Sequence, residues 1–216
     1  MNIVLFGLPG SGKGTQSDFI SKEYSIHKVS TGDLLREQSK TKSELGIKIK
    51  SRIDKGLLVS DDIIDKLITK IISNKLYFNR LIFDGYPRTL SQAKNLDFLF
   101  NQTNQKIDFV FMLKTDENNI IKRILGRLTC TKCGLIFNKF FNIPTVENHK
   151  CGSKYLKKRE DDNEEVLRKR FKTYNEQTAP ILNYYKQQDL LVEIDGMLKI
   201  DQIHSKICGI IDPLKP

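Results

Sequence analysis

Long apolar runs are missing from this chain of 216 residues. None approaches the roughly 20 residues that a membrane-crossing helix requires, so no membrane partner is expected. The chain passes straight into a short apolar run without the pattern of a secretory leader, and a cytoplasmic location is expected. No run of five like charges marks a nucleic-acid-binding arm, although the net charge is +10 and the pI near 9.4. That balance favours anionic ligands; most of the abundant lysine reads as solvated surface. Internal repeats and low-complexity tracts are also absent. Cysteine is scarce, with four residues, which excludes a dense disulfide framework.

Three of those four, Cys130, Cys133 and Cys151, lie close together in sequence. Cys130-Thr131-Lys132-Cys133 has metal-ligand spacing, which points to metal before disulfide. Cys208 sits in an apolar stretch and reads as packing. His27 and His204 carry no functional signal.

Five short apolar runs predict buried strands at Ile3–Phe6, His27–Ser30, Leu81–Asp84, Phe109–Leu113 and Leu191–Ile194. Helical spacing predicts helices over 13–24, 61–73, 90–102 and 116–127, a long charged helix over 162–187, and a last one over 199–211. Ser60 or Asp61 is placed to cap the second of these. Strands alternating with helices give an α/β fold, a parallel sheet covered on both faces. Two segments break the alternation. Residues 31–59 hold two short helices and no strand. Residues 128–160 hold the cysteines, Gly134, Gly152 and several aromatics, and look like a small β-rich insertion.

The chemistry concentrates at strand ends. Gly7-Leu8-Pro9-Gly10-Ser11-Gly12-Lys13-Gly14-Thr15 follows the first strand and opens a helix. Such a loop converges backbone N–H groups on a polyphosphate, and the helix start adds positive potential. Lys13 supplies a point charge for the outer phosphates. Gly14 stands where the general phosphate-loop pattern has Ser or Thr, and the hydroxyl comes one residue later, at Thr15. Ser30-Thr31-Gly32-Asp33-Leu34-Leu35-Arg36 follows the second strand and Asp84-Gly85-Tyr86-Pro87-Arg88-Thr89 the third. Arg159-Glu160-Asp161-Asp162-Asn163-Glu164 leads into Arg168-Lys169-Arg170. Arginine grips phosphate bidentately and keeps its charge, and phosphoryl transfer needs alignment and charge neutralisation above all. Asp84, at the end of a buried strand, suits a Mg²⁺ site acting through water; the alternative is a turn cap. No side chain stands out as a general base.

These four blocks, in this order and at this spacing, resemble the signature blocks of the adenylate kinase family over essentially the whole chain. The Gly14-Thr15 departure is itself the family's form of the loop. The resemblance implies a P-loop nucleoside monophosphate kinase fold: a five-stranded parallel sheet covered by helices, with an AMP-binding helical insertion and a β-rich lid. It implies a core of 1–29, 60–126 and 162–216, an AMP-binding part at 30–59 and a lid at 127–161. It implies Mg²⁺-dependent transfer of the terminal phosphoryl group of ATP to AMP, giving two ADP, by a monomer with no nucleic-acid partner. Carried over by position, Gly10, Ser11, Gly12, Lys13, Gly14 and Thr15 hold the ATP phosphates, with Lys13 on the transferred group. Thr31, Arg36, Leu57, Leu58, Val59, Gly85, Tyr86, Pro87, Arg88 and Gln92 bind AMP. Arg123, Arg127, Arg159 and Arg170 clamp the phosphate chain, and Ile136 and Phe137 lie near the ATP ribose or base. The Tyr86-Pro87 bond is similar to one that is cis in the family.

The long insertion resembles the zinc-bearing lid of the long-lid bacterial type, which has two Cys-x-x-Cys pairs or a close variant. Here Asn148 occupies the place of a thiolate, and asparagine is a poor zinc ligand. His149 is chemically better but one residue out of register, and is the best candidate for a fourth ligand beside Cys130, Cys133 and Cys151. The alternative is a lid held by packing and hydrogen bonds.

Overall fold

The computed structural model describes residues 1–214; the last two residues of the expected 162–216 segment lie outside the described residues. β1 (Asn2–Gly7), β2 (His27–Ser30), β3 (Leu81–Asp84), β4 (Phe109–Lys114) and β8 (Leu191–Asp195) form a fully parallel sheet in the order β2-β3-β1-β4-β8. Each strand is within a residue of its expected bounds. The reason is burial on both faces: β1 is buried along its whole length, so polarity cannot alternate along it and the apolar run itself marks the strand.

Side chains alternate between two cores. Val4 and Phe6 of β1 and Leu81 and Phe83 of β3 point to a face covered by α4 (Asp61–Ile72), α5 (Leu90–Gln102) and α8 (Ala179–Lys186). Ile3, Leu5 and Ile82 point the other way, against α1 (Lys13–Glu23) and α9 (Ile200–Ile211). A third cluster joins Leu8 to Ile120 and Ile124 of α6 (Glu117–Leu125) and to Leu167 and Phe171 of α7 (Glu164–Thr173). It fixes the phosphate loop against the helices that flank the second insertion.

The chain leaves β2 into α2 (Thr31–Gln38) and then α3 (Glu44–Asp54), with no strand between. Ser30 caps α2 by accepting from the Asp33 N–H, and Ser43 caps α3 by accepting from the Gly46 N–H. After α6 a separate antiparallel sheet forms in the order β6-β5-β7, from β5 (Arg127–Cys130), β6 (Ile136–Asn138) and β7 (Leu156–Lys157).

Two expectations are corrected. The charged run over 162–187 is not one α-helix: Tyr174–Thr178 between α7 and α8 is a π-helical turn. Such a turn widens the ladder by one residue, and here it seats the Thr178 hydroxyl against the Arg88 carbonyl at 2.9 Å. Buried residues recur at helical spacing straight through it, at Phe171, Tyr174, Thr178, Ile181 and Tyr185, so a periodicity argument gives no sign of it. Ser60 sits at the N-cap of α4 but makes no side-chain cap bond, and Asp61 lies inside the helix with its carboxylate turned to α5, accepting from Gln92 Nε2 at 2.6 Å and from the Thr89 hydroxyl at 3.3 Å.

Ile207 is fully buried between α9 and the sheet. Ile207→Ala is expected to lower unfolding free energy by about 3 kcal/mol in urea denaturation. A loss below about 1 kcal/mol would mean that α9 does not pack as described.

Candidate functional site

All five parallel strands end on one side, and the crevice there is where open parallel sheets bind ligands. A cavity of about 850 Å³ opens at that place. Its floor is the loop after β1. Gly10 has φ 88° and Gly12 φ 99°, values that favour glycine, and a Cβ on Gly10 would come within 2.6 Å of the Ile124 side chain. α1 begins without an acidic first turn and without a side-chain cap, which leaves its leading N–H groups free for an anion. Lys13 Nζ folds back to donate to the Gly7 and Leu8 carbonyls at 2.6 and 2.9 Å. Burial lowers its pKa to about 8; Asp84 opposes that shift, and Arg88, Arg170 and Arg127 add to it.

Arginines converge on the same cavity from four directions. Arg36 comes from α2, Arg88 from the turn after β3, Arg123 and Arg127 from the end of α6 and the start of β5, and Arg159 and Arg170 from the segment leading into α7 and from the last turn of α7 itself. Each is held by a defined partner. Arg36 pairs with Asp33 at 2.5 Å, and Arg159 approaches the same carboxylate at 3.8 Å. Arg88 Nε donates to the Gly85 carbonyl at 2.7 Å, which also accepts from the Thr31 hydroxyl. Arg170 pairs with Asp161 at 2.8 Å, and Arg127 forms a two-pronged pair with the fully buried Asp162. Arg123 donates to the Gly196 carbonyl and lies over the Phe141 ring.

The positive charge outweighs what these carboxylates neutralise. Burial lowers the pKa of Arg159 to about 10, with Arg127 and Arg36 adding to the shift. Burial likewise lowers Arg170 to about 10, helped by Arg127, Arg88 and Arg36 and opposed by Asp161. Burial would raise Asp33, but Arg36 and Ser30 overcome it and hold its carboxyl at about 2. The cavity is a preorganised anion site whose cations repel one another until an anion enters. Asp84 stands beside the loop, its Oδ2 3.4 Å from where a Cβ on Gly14 would sit.

The residues singled out in sequence come together. Gly10, Ser11, Gly12, Lys13, Gly14, Thr15, Thr31, Arg36, Leu57, Leu58, Val59, Asp84, Gly85, Tyr86, Pro87, Arg88, Gln92, Arg123, Arg127, Ile136, Phe137, Arg159 and Arg170 all line this cavity. The Tyr86-Pro87 bond is cis. Three groups were missed. Asp161 and Asp162 lie in a quoted block but were read past in favour of its arginine; two acids beside so many arginines were the available signal. Met197–Ile203, after β8, walls the cavity opposite Gln16, whose Nε2 donates to the Ile200 carbonyl at 2.9 Å. The segment carries no motif, and its one printed tie to the loop helix is through a backbone carbonyl, which leaves no trace in side-chain identity. Phe141 and Asn138 close it from the small sheet.

Outside the cavity, Cys130, Cys133, His149 and Cys151 place one donor atom each within 4.8 Å of all the others. Tetrahedral zinc with bonds of about 2.0–2.3 Å needs donors about 3.3–3.8 Å apart, so small side-chain adjustments complete the set. His149 is buried, and its Nε2 has no hydrogen-bond partner. A buried imidazole nitrogen left unsatisfied is costly and is relieved by a metal bond. Asn148 is engaged elsewhere: its Oδ1 accepts from the Thr145 N–H at 2.8 Å and its Nδ2 donates to the Ile143 carbonyl at 3.1 Å. The donor set therefore fits zinc, with His149 in the fourth place.

Comparison with known proteins agrees in one direction. The family model described as adenylate kinase matches residues 5–190. The chain is 46% identical to the adenylate kinase of Pelagibacter ubique over 211 residues, covering 98% of this chain and 99% of that protein. It is 41% identical to the adenylate kinase of Enterococcus faecalis over 214 residues, with 98% and 99% covered. It is 37% identical to that of Archaeoglobus fulgidus over 217 residues, with both chains covered in full. No helix among the described residues is long and apolar enough to cross a membrane.

The lowered pKa of Lys13 gives a linkage prediction. Above about pH 8 the free lysine loses its proton, and an entering phosphate chain restores it. Inorganic triphosphate is expected to bind with proton uptake near pH 8 and more weakly as pH rises further. Calorimetry in two buffers of different ionisation heat measures the uptake. Equal heats in both, or an uptake that persists in Lys13→Met, would assign the shift elsewhere.

Proposed function

This chain belongs to the adenylate kinase family, and we propose that its cavity catalyses reversible transfer of the terminal phosphoryl group of ATP to AMP, giving two ADP. The observation that carries the reading is the convergence of Lys13 and six arginines on one cavity at the strand ends. That much cation matches two nucleotides whose phosphate chains meet in line. The loop Gly10–Thr15 and the start of α1 cradle the phosphates of ATP. Its adenine lies between Phe19 and Met197–Ile203, with Ile136 and Phe137 at the ribose. AMP enters on the side of Thr31, Arg36, Leu57, Leu58, Val59 and Gln92.

Arg88 and Arg36 fix the AMP phosphate, already an anionic nucleophile, so no general base is required. Lys13, Arg123, Arg159 and Arg170 take up the charge that moves with the transferred group, while Arg127 braces the donor phosphates. Mg²⁺ bound with ATP would supply further neutralisation, and Asp84 is the carboxylate that would hold it through water. Water competes with AMP as acceptor, and the two insertions exclude it. They already meet in ion pairs, Lys50 to Glu160 at 2.9 Å and Arg159 to Asp33 at 3.8 Å. Residues 30–59 act as the acceptor-side cover and 127–161 as the lid over a core of 1–29, 60–126 and 162–216. The same reading takes the protein to work as a monomer in the cytoplasm.

Cys130, Cys133, His149 and Cys151 would hold a structural zinc beside the small sheet. These ligands share no residue with the cavity lining, so the metal would staple a lid that has little core of its own.

Formation of ADP from ATP and AMP, with Mg²⁺ present, tests the reaction directly. Lys13→Ala and Arg88→Ala are each expected to lower kcat about a hundredfold or more while melting as the unchanged protein does. Near-normal turnover in either folded variant would remove that residue from the mechanism.

Elemental analysis of protein purified without chelator is expected to find about one zinc per chain. Asn148→Ala should keep it and His149→Ala should lose it. EDTA should lower the melting temperature. Metal-free protein whose melting ignores EDTA would mean that the lid stands by packing alone.

A further inference from the structure

We propose that Asp61 is a specificity-determining residue, which locks the Gln92 amide in the orientation that accepts a 6-aminopurine and rejects a 6-oxopurine. The inference rests on the reading of Gln92 as part of the acceptor side, and it concerns which base that side admits.

Gln92 is 3% exposed and yet lines the cavity. Its backbone is anchored at the first turn of α5, where Thr89 accepts from the Gln92 N–H at 3.2 Å. Both ends of its amide are engaged. Nε2 donates to Asp61 Oδ1 at 2.6 Å, and Oε1 accepts from the Arg88 backbone N–H at 2.8 Å. Asp61 is steadied in turn, since its Oδ2 accepts from the Thr89 hydroxyl at 3.3 Å.

These neighbours leave the amide no choice. A carboxylate offers only lone pairs, and a backbone N–H offers only a proton. Turning the amide over would set its oxygen against the Asp61 carboxylate and its NH₂ against the Arg88 N–H, opposing two pairs of like groups in a buried place. A primary amide has two N–H groups and two oxygen lone pairs. Once Asp61 and Arg88 are served, one N–H and one lone pair remain. That pair complements adenine, whose N1 accepts and whose 6-amino group donates. Hypoxanthine and guanine present the reverse, a donating N1–H beside an accepting O6, and would need the forbidden orientation. Sites built on such directional bonds reject a mismatched analogue strongly, because the mismatch leaves buried polar groups unpaired.

The recognition therefore begins at a side chain two steps from the base. Gln92 alone is ambivalent; Asp61 on α4 and the Arg88 backbone on the turn after β3 give it direction. Because Arg88 is also proposed to hold the acceptor phosphate, the same turn places the phosphate and reads the base.

Asp61→Asn tests this, because an asparagine at 61 can present either its oxygen or its NH₂ to Gln92. The unchanged protein, Asp61→Asn and Asp61→Glu are assayed with ATP and either AMP or IMP, nucleoside diphosphates being resolved by anion-exchange chromatography. The ratio of kcat/KM for AMP over IMP is expected to fall about tenfold in Asp61→Asn and to hold in Asp61→Glu. An unchanged ratio in folded Asp61→Asn would overturn the inference, and a lowered melting temperature with that unchanged ratio would make Asp61 a structural acid at the helix start. If Asp61→Asn does not fold, Asp61→Ser, whose hydroxyl also donates or accepts, is read the same way. No ADP from the unchanged protein with AMP would instead overturn the acceptor reading, and the inference with it.

Discussion

Mutual repulsion among cations is the constraint around which this molecule is built. Lys13 and the six arginines lie in one cavity with fewer carboxylates than they need, and burial removes the water that would otherwise screen them. Left to itself such a cluster would spread apart. It is held because the guanidinium groups are tied to the fold: Arg127 to the buried Asp162, Arg170 to Asp161, Arg36 and Arg159 to Asp33, Arg88 to the Gly85 carbonyl, Arg123 to the Gly196 carbonyl. Removing one member of a buried ion pair leaves the other charge uncompensated, a cost of about 3–5 kcal/mol. The carboxylates here are therefore braces. Their task is to keep charge concentrated where a phosphate chain will use it.

The parallel sheet makes that bracing possible. Its strand ends deliver Gly7, Ser30, Asp84 and the start of the β8 exit loop to one rim, while two apolar faces anchor the helices that carry the arginines. The π-helical turn between α7 and α8 belongs to the same design. It lets a helix that presents Arg170 continue into one that packs on the sheet, and it brings Thr178 to the Arg88 carbonyl. The turn that shapes the acceptor side is thus buttressed from three sides, by Thr31, Thr178 and Gln92.

Much of this was legible in the residues. The central strands read cleanly because β1, β3 and β4 carry near-continuous apolar runs, whereas the edge strand β2 has only Val29 buried; the glycine-rich loop reads because its spacing, strand and lysine stand in register. Legibility fails where function rests on backbone or on a second neighbour. Met197–Ile203 walls the cavity with no distinctive side chain. The π turn depends on a widened ladder that no period of apolar residues records. Asp61 looked like a helix cap because acids favour helix starts, and only the tertiary contact with α5 shows what its carboxylate faces. Chemistry favours His149 over Asn148; in the fold the His149 ring nitrogen lies among the three cysteine sulfurs while the Asn148 amide is engaged elsewhere.

The lysine of the phosphate loop, folded back on the Gly7 and Leu8 carbonyls, bears on how long a ligand stays. Those two oxygens act as a resident competitor. The ammonium has three N–H groups and two of them are spent on these carbonyls, so an arriving phosphate competes with the loop for the lysine's hydrogen bonds. Affinity is thereby trimmed at the atom where attraction is strongest, and the barrier to escape falls with it. For a site that must release two highly charged products every cycle, a loop that recaptures its own lysine shortens residence without weakening the groups that act at the moment of transfer.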